Sequence, residues 1–184
     1  RRGRAAAPVG ELAVRDGPPG AFNGRRRIGG RGGEMARSRP YRAPMALVLL
    51  DIDHFKQVND TYGHQAGDDV LRWLAVLLQE NLRAVDLPAR FGGEEIAIVL
   101  PEVTAERALE TAERLREIVA RQGCQVTDLS GNQVSVPITI SLGVAGLTPE
   151  VTREAELIAF ADQALYEAKG QGRNRAVAHH RPHA

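Results

Sequence analysis

Four apolar segments of strand length divide the chain after residue 42, and their order limits the folds that it can adopt. Residues 45–52 form an apolar run closed by two aspartates, which fits a buried strand better than a helix. The runs 87–91 and 96–100 flank Gly92-Gly93-Glu94-Glu95, and glycines that tolerate positive φ between two such runs predict a tight β-hairpin. Residues 134–145 alternate apolar with smaller or polar positions and predict a fourth strand.

Three amphipathic helices are expected between and after these strands. The first covers 68–83 and starts with two aspartates, which favour a helix N-terminus. Thr104 is expected to cap the second. The third begins at Thr152 and ends at Gly170 and Gly172. The order strand, helix, hairpin, helix, strand, helix is the split βαβ pattern of ferredoxin-like folds. We therefore expect an α/β (α+β) domain with a central, mostly antiparallel sheet flanked by helices, which lie on one of its faces.

The formal net charge of +1 conceals a strong asymmetry along the 184 residues. Residues 1–42 carry 11 arginines against three acidic residues, a balance of +8, whereas residues 43–184 have a balance of −7. The basic segment is rich in Gly and Pro and lacks periodicity, so we expect an irregular linker. It could contact nucleic acid or an anionic membrane, but it lacks interleaved aromatic residues and a periodic basic face, and we expect no nucleic-acid partner.

Composition also restricts the cellular compartment. A single cysteine, Cys124, excludes an internal disulfide and indicates a reducing environment. The longest clean apolar run, 45–50, is far shorter than the roughly 20 residues that span a bilayer, and no secretory signal is evident at the N-terminus. We therefore expect a cytoplasmic domain that does not insert into a membrane, although a longer protein containing it could be tethered to one.

Carboxylates occur at two places that the predicted sheet would bring together. Asp51-Ile52-Asp53 ends the first strand, and Glu94-Glu95 lies on the hairpin. These strands are neighbours in a split βαβ sheet, and clustered oxygen ligands suit magnesium bound together with substrate phosphates. The pattern favours metal-dependent phosphoryl or nucleotidyl transfer. The alternative is that the aspartates merely end a strand and the glutamates form a solvated turn. The glycines also have two interpretations: Gly92-Gly93 could let a phosphate approach the backbone closely, or could be needed only for the conformation of the turn.

The segment Arg90-Phe91-Gly92-Gly93-Glu94-Glu95-Ile96 resembles the signature of GGDEF domains, the diguanylate cyclases that make cyclic di-GMP from two GTP molecules. Further similar stretches follow the family pattern in order and spacing: Asp51 to Asp60, Gly63 to Asp68, Ile140 to Ala145, and the positions from Ala161 to Asn174. The resemblance covers residues 43–178 and implies a fold like that of nucleotide cyclases and polymerase palm domains. Residues 1–42 and 179–184 would then be an N-terminal segment and a C-terminal tail.

The resemblance assigns roles around a GTP molecule and a magnesium or manganese ion. Asp51, the carbonyl of Ile52, Glu94 and Glu95 would hold the metal, and Glu94 would also help to deprotonate the attacking 3′-hydroxyl. Asn59 and Asp68 would hydrogen-bond the guanine edge, with His64 near the base or ribose. The remaining GTP-binding positions implied by the family are Phe55, Lys56, Gly92, Gly93, Lys169 and Arg173.

Three of these positions are cationic. The chain has only two lysines, Lys56 and Lys169, and both lie at expected triphosphate contacts, as does Arg173. The residues expected to be catalytic are Lys56, Asp51, Glu94 and Glu95. Lys169 and Arg173 could equally complement the dipole of the helix that they end, and the two roles are compatible.

The resemblance also implies a control site. Arg83-Ala84-Val85-Asp86 matches the R-x-x-D motif that binds product in this family, and Arg114 matches the position of a second inhibitory arginine. Arginine can clamp a phosphate or a guanine edge, and aspartate can accept hydrogen bonds from guanine. The alternative is purely structural, with Arg83 paired to Asp86 and Arg114 paired to Glu110.

Two departures from the family pattern keep a second function open. Where the family usually begins with D-x-L-T-G-L-x-N-R-R, this chain has Asp16-Gly17-Pro18-Pro19-Gly20-Ala21-Phe22-Asn23-Gly24-Arg25, and Ile96 replaces the usual Phe. A non-catalytic receptor for cyclic di-GMP or GTP is therefore the alternative, although such proteins generally lose the carboxylates that this chain keeps. The family implies at least a transient homodimer and a sensor or receiver domain upstream of the segment in this chain.

Overall fold

The computed structural model describes residues 43–148, 151 and 153–179. The basic segment 1–42 and nearly all of the predicted tail lie outside these residues. Seven strands and four helices are found in the described part, and we label them in chain order. The strands are β1 Met45–Ile52, β2 Leu87–Arg90, β3 Glu95–Pro101, β4 Cys124–Thr127, β5 Gln133–Val136, β6 Ile140–Gly146 and β7 Ala176–Ala178. The helices are α1 Phe55–Tyr62, α2 His64–Asn81, α3 Ala105–Gln122 and α4 Glu154–Gly170.

Strand β1 lies at the centre of a five-stranded sheet with the order β2-β3-β1-β6-β7. It pairs antiparallel with β3 and with β6, and only the pair β6–β7 is parallel. The central position explains the apolar sequence of β1, because seven of its eight residues are buried and both faces of the strand are covered. The expected mostly antiparallel α+β sheet is thus confirmed.

Helices cover both faces of the sheet, so the expectation of a single covered face is wrong. Val48 and Leu50 on one face of β1 belong to a core cluster with α2 and α3, whereas Leu47 and Leu49 on the other face belong to a second cluster with α4. The period-2 alternation along a strand sends successive side chains to opposite faces. A run that is apolar at every position therefore requires a cover on each side.

The predicted strand over 134–145 is two strands separated by Pro137 to Thr139. β5 turns away to pair with β4 in a separate two-stranded sheet, and β6 enters the main sheet. Proline has no N–H for a central sheet ladder, which is a physical reason for the break. β4, β7 and helix α1 had not been predicted. The hairpin β2–β3 is confirmed, but its glycines, Gly92 and Gly93, do not have the positive φ values that were expected.

The predicted helices are present with shifted boundaries. α2 begins at His64, so Asp68 and Asp69 lie in its second turn and not at its start. Thr104 caps α3 by accepting a 3.5 Å hydrogen bond from the N–H of Arg107, as expected. α4 begins at Glu154 after Arg153, and Thr152 is outside the described residues. No helix in the described part is long and apolar enough to cross a bilayer.

Candidate active site

The register between β1 and β3 brings the two predicted groups of carboxylates together. Asp51 lies directly opposite Glu95 in the antiparallel ladder, with Ile52 next to it and Glu94 one residue before β3. The side chain of Asp51 is on the same face of β1 as Leu47 and Leu49, which is the face covered by α4. The sheet therefore places the site at the end of its central strand, beneath α4.

Lys169 reaches this face from the last turn of α4 and forms an ion pair with Asp51, at 2.8 Å between Nζ and Oδ2. Burial raises the pKa of Asp51 above its usual value, Lys169 opposes this effect, and the charge of nearby Glu94 adds to it. Asp51 thus lies close enough to another carboxylate for the two to interact, and a cation shared between them would relieve the repulsion.

The close approach of α4 to the sheet depends on Gly143 of β6. A Cβ at this position would overlap the carbonyl oxygen of Ala161 and the backbone nitrogen of Leu165. Because those atoms belong to the helix backbone, they cannot rotate away. The absent side chain therefore fixes the height of α4 above β6 and, with it, the position of Lys169.

The donor set is suited to a hard divalent cation. Asp51, Glu94 and the carbonyl of Ile52 could supply oxygen ligands, and Mg²⁺ typically uses one or two carboxylates together with substrate phosphates and water. Among the described residues, no three acidic, His or Cys side chains are already gathered around one point.

The hairpin turn next to these carboxylates is organised by Arg90. Its Nε donates to the carbonyl oxygens of Gly92 and Gly93, both at 3.1 Å, and its Nη2 donates to Gly93 at 2.6 Å. An added Cβ at Gly93 would meet open space, so packing within the described chain does not require glycine there. Arg90 belongs to the signature segment, but its bonds to the turn were not predicted from the sequence.

The end of α4 holds two of the three predicted phosphate cations in a defined geometry. The N–H of Arg173 donates to the carbonyl of Ala168 and the N–H of Gly172 to that of Lys169, which is a Schellman motif with Gly172 at φ 112°. Lys169 therefore lies in the last turn and Arg173 two residues beyond the cap. Lys56 lies apart from them on α1, where it pairs with Asp60 at 2.5 Å on an exposed surface.

Helices α1 and α2 carry the residues predicted to read guanine. The side-chain oxygen of Asn59 lies against Gly67, where a Cβ would overlap it, and Phe55 approaches the same point to 3.2 Å. Asp68, next to Gly67, is exposed, as is His64 in the first turn of α2. The helices are joined through Gly63 alone, so a short stretch of chain brings Asn59 alongside the residue before Asp68.

Asp53 does not join Asp51 in the carboxylate pair, although the two were expected to converge. Its Oδ1 accepts from the hydroxyl of Ser141 at 2.7 Å, and its Oδ2 accepts from the hydroxyl of Thr139 at 2.8 Å and from the backbone N–H of Asn174 at 3.0 Å. The residue is only 5% exposed. Its charge is satisfied by protein donors on both oxygens.

The predicted inhibitory residues form a local cluster near the end of α2. Arg83 Nη2 and Nε bind Asp86 Oδ1 at 2.6 and 3.0 Å, and Arg83 also donates to the carbonyl of Pro101. The hydrogen bond to Asp86 raises the pKa of Arg83. Arg114 donates to the carbonyl of Asn81 at 3.0 Å, whereas Glu110, its expected partner, pairs with Arg107.

Comparison with known proteins agrees with this architecture. Residues 32–175 match the family model described as "Diguanylate cyclase, GGDEF domain". The chain is 40% identical to the response regulator PleD of Caulobacter vibrioides over 167 residues, which are 91% of this chain but 36% of PleD. It is also 38% identical to the probable diguanylate cyclase DgcC of Escherichia coli, covering 89% of this chain and 43% of that protein. It therefore spans less than half the length of these relatives.

Solved structures lead to the same assignment. The active GGEEF domain of a diguanylate cyclase from Vibrio cholerae superposes with a TM-score of 0.70 at 34% identity, covering 81% of this chain and 91% of that one. The GGDEF domain of DgcB from Caulobacter crescentus, solved in complex with c-di-GMP, gives 0.66 at 37% identity, with 73% and 77% covered. The chain therefore belongs to the GGDEF family of diguanylate cyclase domains.

Proposed function

We propose that this domain condenses two GTP molecules into cyclic di-GMP and two pyrophosphates. The observation that carries the proposal is the placement of Asp51 opposite Glu95, with Lys169 at 2.8 Å from Asp51. A carboxylate pair next to a phosphate-binding cation is the arrangement that nucleotidyl transfer requires. Since GTP is a cytosolic nucleotide, we expect the domain to work in the cytoplasm.

Each step of the reaction is an in-line displacement. The 3′-oxygen of one GTP forms a bond to the α-phosphorus of the other, and the bond from that phosphorus to pyrophosphate breaks. Glu94 accepts the proton of the 3′-hydroxyl and passes it to water. Lys169, Arg173 and Lys56 bind the triphosphate. Asp68 accepts hydrogen bonds from the guanine edge, and Asn59 can accept with its amide oxygen and donate with its amide nitrogen.

A divalent ion completes this site. Magnesium, or manganese in its place, would be held by Asp51, Glu94, Glu95 and the Ile52 carbonyl, and it would neutralise charge that develops on the phosphate oxygens. The protein residues then supply orientation. Lys169 is already paired with Asp51, so binding of the substrate and ion would transfer Lys169 from the carboxylate to a phosphate oxygen.

The reaction needs two copies of the domain, because each copy binds one GTP and the two reacting groups must face each other. We expect specific activity to rise with protein concentration until the dimer is saturated. The direct test is incubation of the protein with GTP and Mg²⁺, followed by chromatographic detection of cyclic di-GMP. Binding of cyclic di-GMP or GTP without any product would instead establish the receptor function.

Product inhibition is expected at Arg83, Asp86 and Arg114. Asp86 is buried and oriented by Arg83, so the pair is held in place for a guanine or phosphate group. Arg83→Ala should weaken inhibition by cyclic di-GMP about tenfold, the effect of one charged hydrogen-bonding group. The measurement is the product concentration that halves the initial rate. Arg107→Ala on α3 is the matched control, and equal inhibition of both variants would remove this site.

A further inference from the structure

The turn between α4 and β7 has an unusual backbone. Arg173 and Asn174 have φ values of 64° and 46°, in the left-handed region that non-glycine residues uncommonly adopt. Such a conformation persists where the surrounding structure determines it. The side chain of Arg173 is exposed, so its own contacts are not sufficient to hold the backbone beneath it. The turn must be fixed through its main chain.

Side chains from two distant elements bind the main chain of this turn. The N–H of Asn174 donates to Asp53 Oδ2 at 3.0 Å, and the N–H of Ala176 donates to Glu113 Oε1 at 2.8 Å. Arg116 binds the other oxygen of Glu113 at 2.6 Å and donates to the side chain of Asn174 at 3.2 Å. We call Asp53, Glu113 and Arg116 the turn clamp.

We propose that the turn clamp positions Arg173 for the triphosphate, with Asp53 acting as a positioning residue and not as a metal ligand; this inference rests on the function proposed above. The clamp binds the residue immediately after Arg173 and leaves the Arg173 side chain free to reach the substrate. Asp53 follows Asp51 by two residues. One carboxylate thus ties the end of the strand that carries Asp51 to the turn that carries a phosphate-binding cation.

The bonding of Asp53 supports this assignment over a ligand role. Three donors occupy its two oxygens, and the side chain is buried. Two of the donors, Thr139 and Ser141, flank the start of β6, so the clamp also fixes the turn relative to the sheet. A carboxylate that is hydrogen-bonded on both oxygens and lies in the interior is well suited to hold backbone in place.

The test compares Asp53→Ala with Asp53→Asn in the full chain. Asparagine keeps a carbonyl oxygen for Thr139 and the Asn174 N–H, and its amide can donate to the Ser141 hydroxyl. We expect Asp53→Ala to raise the KM for GTP about tenfold, as misplacement of a binding group does, with a smaller change in kcat. Asp53→Asn should stay within about threefold of the wild type in both parameters.

Two further comparisons separate positioning from general stability. Glu113→Ala should raise the KM for GTP, whereas Glu110→Ala, which removes an exposed carboxylate from the same helix, should not. In an Arg173→Ala background, Asp53→Ala should add little to the loss of GTP binding, because the clamp acts through Arg173. Affinity for GMP, which lacks the β- and γ-phosphates, should change less than affinity for GTP in both clamp variants.

Amide hydrogen exchange gives a readout that needs no turnover. We expect protection of the amides at 174 and 176 in the wild type, loss of protection at 174 in Asp53→Ala, and its retention in Asp53→Asn. The proposal is overturned if Asp53→Asn loses as much activity as Asp53→Ala, or if a folded Asp53→Ala binds GTP and exchanges like the wild type. A wild type that shows the protection but makes no cyclic di-GMP contradicts the proposed function and leaves the clamp intact.

Discussion

The sheet side and the helix side of the site are assembled in different ways. On the sheet side, strand register places Asp51 of β1 opposite Glu95 of β3, and the packing of α4 on the sheet brings Lys169 to Asp51. On the helix side, Asn59 and Asp68 belong to consecutive helices joined through Gly63. The groups expected to take part in the reaction thus depend on the whole sheet, whereas the groups expected to bind the base depend on one local contact.

One glycine on each side shows the same difference. A side chain at position 143 would overlap backbone atoms of α4. A side chain at position 67 would overlap the side chain of Asn59. Backbone in a packed helix cannot move without the helix, but an asparagine side chain can rotate. Crowding should therefore damage the fold on the sheet side and only the recognition of the base on the helix side.

The largest effect is expected for Glu94→Gln on the sheet side. The substitution keeps the shape of the residue but removes the proposed acceptor of the 3′-hydroxyl proton, so production of cyclic di-GMP should fall about 10²–10⁴-fold. The assay is steady-state product formation at saturating GTP and Mg²⁺. Glu80→Gln, on α2 away from the site, is the control. A loss of less than fivefold would place the proton acceptor elsewhere.

Gly143→Ala should then destabilise the protein. The new Cβ meets the backbone of α4, and overpacking of this kind lowers the free energy of unfolding by about 1–3 kcal/mol. Urea denaturation measures it. Gly170→Ala on the same helix adds its methyl group to open space and should leave stability unchanged or raised. Equal stability of the two variants would show that the backbone of α4 does not exclude a side chain at position 143.

Gly67→Ala should affect specificity more than stability. Rotation of the Asn59 amide away from the new methyl group would remove its proposed hydrogen bond to the base. The affinity for GTP, or its excess over the affinity for ITP, should therefore fall about tenfold. Competition binding measures the affinities for GTP and for ITP. The loss should not add to that of Asn59→Ala, because both changes remove the same contact. Fully additive losses would show that Gly67 acts independently.

The smallest effect concerns the β4–β5 hairpin, which Asp69 ties to α2. Burial would raise the pKa of Asp69, but hydrogen bonds from the Thr127 N–H, Arg72 and Gln65 outweigh it and lower the pKa. A lowered pKa adds stability above the unfolded-state value of about 3.9, and this stability is lost as the pH falls through the folded-state pKa.

Asp69→Asn should therefore cost about 1 kcal/mol of unfolding free energy at neutral pH and progressively less in acid. Urea titrations from pH 6 to pH 2 give the comparison. An offset between wild type and variant that stays constant over this range would contradict the assigned ionisation. Cyclic di-GMP formation at neutral pH should change less than in the Gly67→Ala variant.

Much of the sheet side could be predicted from the sequence because its elements have clear periodicity. β1 and β3 are apolar runs, and their pairing in the split βαβ pattern was enough to predict that Asp51 and the hairpin glutamates converge. The second covered face was missed because an apolar run does not show which element covers it. Asp53 was grouped with Asp51 because adjacent carboxylates look alike until their hydrogen-bond donors are known.

The short elements could not be predicted in the same way. α1 has eight residues with only Val58 buried, which gives too weak a periodic signal for a helix. Val134, Val136, Ile138 and Ile140 alternate without interruption, so the change of sheet at Pro137 was concealed. The bonds of Glu113 and Arg116 to the turn at 174–176 cross between elements, and their local sequence resembles an ordinary helix surface with ion pairs.

The Schellman motif that ends α4 has a consequence for the choice among guanine nucleotides. Its two backbone bonds join the residues around Lys169 and Arg173, so the two side chains extend from backbone positions that are fixed relative to each other. Two cations that extend from one such turn can bind different phosphates of the same nucleotide. GDP, with one phosphate fewer, would contact the two cations less completely than GTP. The protein would then distinguish GTP from GDP without any additional contact to the base.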